Sequence, residues 1–181
     1  MSQFRAIVIS GRAAVGTSTL AKKLKETLGW EYVNAGQIQR QYDQKHKVNE
    51  NAHGAEIRPD EHEKEIDAMT KDMLSSKSNI IYEGWLAGYM ARGIPDVLKV
   101  LVVCPDDEIR AQRVSKRDRV DIEAARKWIT QRESENIVKW KKLYGDHDFW
   151  DPALFDIVID TSNSDIQQTR QLVLDKLGED R

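Results

Sequence analysis

The sequence has few of the features that would fix a fold covalently or place a chain in a membrane. Cys104 is the only cysteine among 181 residues, so an internal disulfide is excluded, and a reducing compartment is the simpler expectation. No apolar run approaches the ~20 residues that a membrane-spanning helix needs. The N-terminus shows neither a basic leader nor an apolar signal segment. We therefore expect a cytoplasmic protein without a membrane partner.

Neither sign of charge is in large excess. The chain has 28 Lys and Arg residues against 30 Asp and Glu residues, a formal net charge of −2. A chain built to coat polymeric nucleic acid would carry a strong positive excess, so we expect no such partner. Internal repeats, low-complexity tracts and linkers rich in Pro, Gly or Ser are also absent. This length and uniformity predict a single domain over residues 1–181, and we expect a monomer.

What is present is an alternation of short apolar segments and amphipathic segments. The predicted strands, rich in β-branched residues, cover residues 5–10, 31–34, 79–83, 97–103 and 156–159. The predicted helices cover residues 19–28, 60–74, 106–117, 121–143 (as one helix or two) and 164–177, the last with Ser164 as its N-cap. The alternation predicts an α/β fold of three layers, in which helices cover both faces of a five-stranded parallel sheet. Ligands of such sheets bind at the carboxyl ends of the strands.

The end of the first strand carries a phosphate-binding loop that lacks its usual lysine. The loop consists of Gly11, Arg12, Ala13, Ala14, Val15, Gly16, Thr17, Ser18 and Thr19. Its spacing is that of the P-loop, G-x-x-x-x-G-K-[ST], with Thr17 at the lysine position. The glycines let backbone N–H groups turn toward phosphate oxygens, and the Ser18 hydroxyl stands where Mg²⁺ is normally bound. A ligand-free turn would show the same glycines, but the position between a strand and an amphipathic helix favours ATP binding in a P-loop NTPase fold.

The next two strand ends carry groups suited to an acceptor and a metal. Asn34 is followed by Ala35, Gly36 and, about one helical turn later, Arg40, an arrangement that suits an acceptor phosphate or hydroxyl. Glu83 is placed to hold Mg²⁺ through water or to orient an attacking oxygen, although an acid that caps a turn is the alternative. Gly84 lets a ligand approach closely, and Trp85 is placed to stack on a base.

Cations follow the fourth strand in a pattern typical of a lid. Arg110, Arg113 and Arg117 recur at i, i+3 and i+7, so they share one helix face, and their mutual repulsion would be relieved by a polyphosphate ligand. Arg132 and Lys139 lie on the next helical segment. We interpret this layout as a mobile lid that brings arginines onto a transferring phosphoryl group. The alternative is a helical hairpin with alternating surface charge.

Taken in order, these motifs resemble those of the cytidylate kinases, especially the compact archaeal-type branch of that nucleoside monophosphate kinase family. That branch is similar in having threonine at the P-loop lysine position. The residues that carry the resemblance further are Asn34-Ala35-Gly36 with Arg40 (family pattern S-A-G-x-x-x-R), Glu83-Gly84-Trp85-Leu86-Ala87-Gly88 (E-G-R-L-A-G), Arg113 with Arg117, Arg132-Glu133-Ser134-Glu135, Tyr144-Gly145-Asp146, and residues 155–162.

The resemblance implies transfer of the ATP γ-phosphoryl group to CMP or dCMP with Mg²⁺. It implies that residues 11–19 hold the ATP phosphates, with Ser18 on the metal and Glu83 near it through water. The candidate catalytic residues are Glu83, Arg113, Arg117 and Arg132. The candidate acceptor-binding residues are Gly36, Arg40, Arg58, Gly84, Trp85 and Lys139. The implied subregions are core (1–34), acceptor-binding arm (35–78), core (79–112), lid (113–140) and core (141–181).

The acceptor side departs from the family pattern. Trp85 stands at an arginine position, and residues 66–69 read I-D-A-M where the pattern resembles I-D-R-R. Arg58 or Arg92 is a candidate replacement for the missing charges. Arg58 lies in a segment (42–60) that matches no family pattern. Two alternatives therefore stay open: a P-loop kinase of another small acceptor, and a nucleotide-binding assembly factor with weak transfer activity.

Overall fold

A five-stranded parallel sheet forms the centre of the molecule. The computed structural model describes residues 4–49 and 53–178. Residues 1–3, which bear on the expected absence of a leader, and residues 50–52 of the 42–60 segment lie outside that part. The strands are β1 (Ala6–Ser10), β2 (Glu31–Asn34), β3 (Ile80–Glu83), β4 (Val97–Val103) and β5 (Ile157–Asp160), in the order β2-β3-β1-β4-β5. All five predicted strands and the α/β class are confirmed.

Seven α-helices connect and follow the strands in the described residues. They are α1 (Thr17–Leu28), α2 (Ala35–Lys45), α3 (Asp60–Ser76), α4 (Ala87–Met90), α5 (Asp107–Asp118), α6 (Ile122–Tyr144) and α7 (Ile166–Leu177), with short 3-10 helices at Ala55–Ile57 and Pro152–Leu154. The segment predicted as one helix or two is therefore the single helix α6. None of the helices within the described ranges is both long and apolar enough to cross a membrane.

The start of α7 differs from the prediction. Asp165, not Ser164, caps this helix: its carboxylate accepts hydrogen bonds from the N–H groups of Gln167 (2.8 Å) and Gln168 (2.9 Å). The Gln168 side chain accepts a hydrogen bond from the Asp165 N–H in return, which completes a capping box. Ser164 instead donates to the Asp160 carbonyl at 2.8 Å. The prediction was wrong by one residue. Ser and Asp are both favoured N-cap residues, and the backbone conformation at residues 164 and 165 decides which side chain reaches the first N–H groups of the helix.

The central strand β1 is packed on both sides. Its side chains alternate, so Ile7 and Ile9 join the core formed with α1 and α7, while Ala6 and Val8 join the core formed with α3. All four are fully buried. Burial of each large aliphatic side chain contributes about 1.5–3 kcal/mol, which is why a continuous apolar segment forms the middle strand. Helices on both faces leave the carboxyl edge of the sheet as the open place for a ligand.

The register at this edge brings distant chemical groups together. Glu83 at the end of β3 pairs with Asn34 of β2 on one side and with Ile9 of β1 on the other. Ser10 fixes the neighbouring backbone, since its hydroxyl donates to the Gly84 carbonyl (2.9 Å) and accepts from the Gly88 N–H (2.7 Å). The carboxylate predicted as functional therefore lies directly beside the loop that follows β1.

Candidate active site

The loop between β1 and α1 has the backbone geometry of an anion cradle. Gly16 lies in the left-handed region with φ 104°, a conformation that glycine adopts readily. α1 begins at the next residue and has no side-chain cap, so its first N–H groups are available to an anion. Gly11 is required for a different reason: a Cβ added there would lie 2.6 Å from both the Val102 carbonyl oxygen and Val15 Cγ2.

Substitution of Gly11 by alanine tests this packing. We expect the variant to unfold at a melting temperature lower by about 3–10 °C, because the Val102 backbone cannot move without disturbing β4. We also expect weaker ATP binding, since the loop must shift to relieve the overlap. Differential scanning calorimetry and equilibrium titration with ATP measure the two effects. An unchanged melting temperature would contradict the close approach.

Glu83 accepts hydrogen bonds from four side chains. Thr17 Oγ1 (2.8 Å) and Ser18 Oγ (2.6 Å) donate to one carboxylate oxygen, and Asn34 Nδ2 (2.7 Å) and the Tyr32 hydroxyl donate to the other. Burial, together with the adjacent Glu83 charge, raises the pKa of Tyr32, so the phenol keeps its proton and remains a donor. The carboxylate is therefore held in one orientation between β2, β3 and the phosphate loop.

The oxygen atoms around Glu83 fit a magnesium ion. The Ser18 hydroxyl and the Glu83 carboxylate lie 2.6 Å apart, and both are the hard oxygen donors that Mg²⁺ prefers. The described residues contain no group of three or more His, Cys, Asp and Glu side chains that could hold a metal ion. An ion at this position would take its other ligands from phosphate oxygens and water, as magnesium does in nucleotide sites.

A cavity of about 530 Å³ opens above the loop and is strongly basic. Six arginines from five parts of the chain line it: Arg12, Arg40, Arg58, Arg113, Arg117 and Arg132. Among the described lining residues, Glu83 is the single carboxylate. Because no other negative side chain faces this space, the cavity attracts a ligand with several negative charges.

Arg132 pairs with no carboxylate among the described residues, and its Cζ lies 5.6 Å from the centroid of the Trp85 ring. Its Nε atom is buried and has no hydrogen-bond partner among the described residues. Burial and the nearby positive charges of Arg117, Arg40 and Arg58 together lower the pKa of Arg132 to about 10, against the opposite effect of Asp118. A buried guanidinium nitrogen without a partner is unfavourable for folding, so an anion that reaches it would be bound strongly.

Other cavity arginines are already held by protein groups. Arg117 donates to both carboxylate oxygens of Asp118, at 2.7 and 2.6 Å. Arg113 donates to the Ala14 carbonyl (3.1 Å) and to the Thr161 carbonyl (2.8 Å), so it lies against the loop. Arg58 forms a two-point contact with Asp43 at 2.9 and 2.8 Å and a third with Glu63 at 3.1 Å. Its charge is balanced by two buried carboxylates.

Comparison with known proteins now gives the family. The family model described as the cytidylate kinase-like family matches residues 6–163. A cytidylate kinase of Methanopyrus kandleri is 36% identical over 166 residues, which cover 86% of this chain and 84% of that protein. A cytidylate kinase of Methanothermobacter thermautotrophicus is 36% identical over 163 residues, covering 89% of this chain and 98% of that protein. This chain belongs to the cytidylate kinase-like family.

Solved structures agree on the fold of this cytidylate kinase-like chain. A gluconokinase from Sinorhizobium meliloti superposes with a TM-score of 0.62 at 12% identity, covering 98% of this chain and 94% of that one. A shikimate kinase from Acinetobacter baumannii gives a TM-score of 0.59 at 14% identity, covering 96% and 92%. At such low identity these structures are evidence for the fold alone. They confirm the predicted P-loop kinase architecture.

Most of the predicted site residues surround one cavity in this family member. Those that line it are Gly11, Arg12, Ala13, Ala14, Gly16, Thr17, Ser18, Thr19, Gly36, Arg40, Arg58, Glu83, Gly84, Trp85, Arg113, Arg117 and Arg132. Val15 does not line it, because its side chain is buried in the core and its carbonyl accepts the Thr161 hydroxyl at 2.6 Å. The individual roles of these residues stay predictions.

The structure does not place Lys139 in the cavity, contrary to the prediction. Its ammonium group is buried, donates to the Arg58 carbonyl at 2.5 Å and forms an ion pair with Asp60 at 2.5 Å. Lys139 therefore fastens α6 to the start of α3. A cation held in this way cannot reach a ligand without breaking both contacts.

Two further cations also differ from the sequence-based interpretation. Arg110, predicted to be repelled by its neighbours on α5, pairs with Asp107 (3.0 Å) and Glu133 and donates to the Ala13 carbonyl (3.0 Å). Arg110 therefore holds the phosphate loop in place through the Ala13 carbonyl. Arg92 stacks over the Tyr89 ring, with 3.3 Å between its Cζ and the ring centroid, and does not line the cavity.

Sequence reasoning missed several residues of the site. Tyr32 holds Glu83, Thr161 holds Arg113 and the loop, and Gln39, Asn136 and Trp140 line the cavity. Tyr32 is two residues before Asn34, so both side chains lie on the same face of β2. This spacing indicates that Tyr32 could contact the same group as Asn34. The group can be identified as Glu83 only once β2 is known to pair with β3.

The helix α6, most of which belongs to the predicted lid, contacts the predicted acceptor arm. The N–H of Gly54 donates to Glu135 at 2.5 Å, and that of Ala55 donates to Asn136 at 2.6 Å. The two backbone segments come so close that a Cβ at Gly54 would lie 2.6 Å from the Arg132 carbonyl oxygen. The segment at Gly54 and Ala55 therefore packs on the helix that carries Arg132, at the wall of the cavity.

Proposed function

We propose that this protein transfers the γ-phosphoryl group of ATP to a nucleoside monophosphate, CMP or dCMP, in a magnesium-dependent reaction. The observation that carries the proposal is Arg132, whose buried Nε has no hydrogen-bond partner among the described residues, in a cavity lined by five other arginines and the phosphate loop. The names of the archaeal relatives support a monophosphate acceptor over the two alternatives that the sequence left open.

The donor nucleotide fits the side of the cavity formed by the loop. The free N–H groups at the start of α1 would hold the triphosphate, in place of the missing lysine charge. Arg113 is fixed by Thr161 and by the Ala14 carbonyl in the middle of the loop, and it would contact the nucleoside side of ATP. Arg12 is half-exposed and would supply a further positive charge near the phosphates.

Ser18 and Glu83 would hold the magnesium ion, Ser18 directly and Glu83 through water. When bound, the ion would neutralise charge on the β- and γ-phosphate oxygens. The four hydrogen bonds to Glu83 fix the carboxylate before any ligand arrives, which lowers the reorganisation needed for transfer. Tyr32 acts in this arrangement as a positioning residue.

The transfer itself needs little covalent help from the protein. An oxygen of the acceptor phosphate would form a bond to the γ-phosphorus, and the bond from that phosphorus to the bridging oxygen of ADP would break. Arg40 would hold the acceptor phosphate, and Arg117 and Arg132 would offset the negative charge of the transferring group. The rate gain then comes mostly from positioning and charge neutralisation.

A panel of acceptors tests the proposal. The protein is incubated with ATP and MgCl₂ and with CMP, dCMP, UMP, AMP or GMP, and with gluconate and shikimate as non-nucleotide controls. ADP release is measured together with the phosphorylated product. We expect the highest kcat/KM with CMP or dCMP. Turnover confined to the non-nucleotide acceptors, or ATP binding without turnover of any acceptor, would reject the proposal.

The remaining expectations from the sequence belong to the same proposal. We propose a cytoplasmic enzyme whose partners are small molecules and which acts as a monomer, without polymeric nucleic acid. The low net charge and the single cysteine support this proposal.

A further inference from the structure

A small recess continues the acceptor side of the main cavity. Its volume is about 30 Å³. Five residues line both spaces: Gly36, Gln39, Gly84, Trp85 and Trp140. A recess of this size holds roughly one water molecule, so it admits the edge of a ring and not the ring itself. A planar base lying in the main cavity against Trp85 would present its edge to this recess.

Two carboxyl groups of α3, Glu63 and Asp67, form part of the recess wall. Glu63 is already satisfied: it accepts hydrogen bonds from Arg58 (3.1 Å), Trp140 (3.2 Å) and Gln39 (3.3 Å). Asp67 accepts from the Tyr144 hydroxyl and has no other hydrogen bond within the described ranges. Of the two groups, Asp67 therefore has hydrogen-bonding capacity left for a ligand.

Asp67 keeps its proton unusually well. Burial, with a smaller contribution from the negative charge of Glu63, raises the pKa of Asp67 to about 7. The Tyr144 hydrogen bond and the positive charge of Lys71 act in the opposite direction. Tyr82 of β3 is the other titratable group that faces it, and burial keeps that phenol neutral. Near neutral pH a large fraction of Asp67 therefore offers one O–H donor beside one oxygen acceptor.

We propose that Asp67 reads the base of the acceptor by pairing with an exocyclic amino group and the adjacent ring nitrogen, the edge that cytosine presents. The inference rests on the proposed function and adds to it the residue that selects the base. The acid O–H would donate to the ring nitrogen, and the other oxygen would accept from the amino group. Uracil would instead bring a carbonyl oxygen to a wall that already carries the Glu63 carboxylate, which is electrostatically unfavourable.

Replacements that separate shape from charge test this role. Asparagine keeps one donor and one acceptor at position 67, as the protonated acid does, so we expect D67N to keep the kcat/KM ratio of CMP over UMP within about threefold of the original. Alanine removes both groups, and we expect D67A to lower that ratio by about 10- to 100-fold. D72A, at an exposed carboxylate on the same helix, is the matched control and should leave the ratio unchanged.

A pH series adds a readout that a merely structural role would not move. We expect the preference of the original protein for CMP to fall between pH 6 and pH 9, as Asp67 loses its proton, and that of D67N to stay constant. Circular dichroism verifies folding, and equilibrium binding of CMP and UMP repeats the comparison without turnover. A CMP/UMP ratio unaffected by D67A, or equal losses in D67N and D67A, would overturn the base-reading role while leaving the kinase activity established. Absence of turnover with every monophosphate would instead reject the proposed function and this inference with it.

Discussion

Replacement of Arg132 by methionine is expected to lower kcat by about 10²–10⁴-fold while ATP affinity changes much less. Its guanidinium group lines the cavity, pairs with no carboxylate among the described residues and has a buried Nε without a hydrogen-bond partner, so its positive charge is available to the transferring phosphoryl group. Methionine fills similar volume without charge. Loss of an interaction that is made mainly in the transition state lowers kcat. Loss of an interaction that is made equally with bound ATP would instead weaken the affinity for ATP. Steady-state kinetics and ATP titration separate the two.

The same replacement should stabilise the free protein. Burial lowers the pKa of Arg132, which shows that the charged form is disfavoured in the folded state, so its removal should raise the melting temperature by about 2–5 °C. Arg126→Met is the control, because Arg126 is an exposed arginine of the same helix that pairs with Glu108 and Glu123. Nearly unchanged kinetics in Arg132→Met, or equal losses in the two variants, would remove Arg132 from the catalytic machinery.

Replacement of Glu83 by alanine is expected to lower kcat/KM by about 10²–10³-fold and to raise the magnesium concentration needed for half-maximal rate. The carboxylate is the acceptor for four donors, two of them on the phosphate loop, so its loss frees the loop as well as the metal position. Stability should fall by about 2–4 kcal/mol, because partly buried donors lose a charged partner. Magnesium titrations at saturating ATP measure the first effect, and urea unfolding measures the second.

Tyr32→Phe provides the graded comparison for Glu83. It removes one of the four donors and leaves the carboxylate in place, so we expect a decrease in rate of about 3- to 10-fold and a smaller loss of stability. The magnesium dependence should shift in the same direction as in Glu83→Ala, but less. If Glu83→Ala were to alter stability and leave the magnesium dependence unchanged, Glu83 would be a structural group that caps the turn, the alternative considered from the sequence.

Base selection and phosphoryl transfer involve different parts of α6 and the elements that it contacts. Arg132 faces the cavity beside Trp85, whereas Tyr144, twelve residues later, contacts Asp67. Between them Asn136 holds the backbone of the acceptor arm at Ala55. One helix therefore connects the group that would neutralise the phosphoryl charge with the group that would read the base.

The sequence determined the local features of the donor side. The spacing of Gly11 and Gly16 specifies a tight loop because each glycine meets a local requirement, a close approach in one case and a left-handed φ in the other. The strands were predictable for a similar reason, since a segment buried on both faces must be continuously apolar. These predictions depend on neighbours within a few residues along the chain.

Tertiary structure alone decided the roles of the charged residues. Arg132 and Lys139 are seven residues apart on one helix, and nothing local distinguishes them. Lys139 is neutralised by Asp60, while the Nε of Arg132 is left without a partner. The hydrogen bond between Tyr32 and Glu83 joins residues 51 positions apart and exists because β2 lies beside β3. A sequence shows that charges are present, but their partners and their burial, which set their free energies, come from elements that meet only in the folded chain.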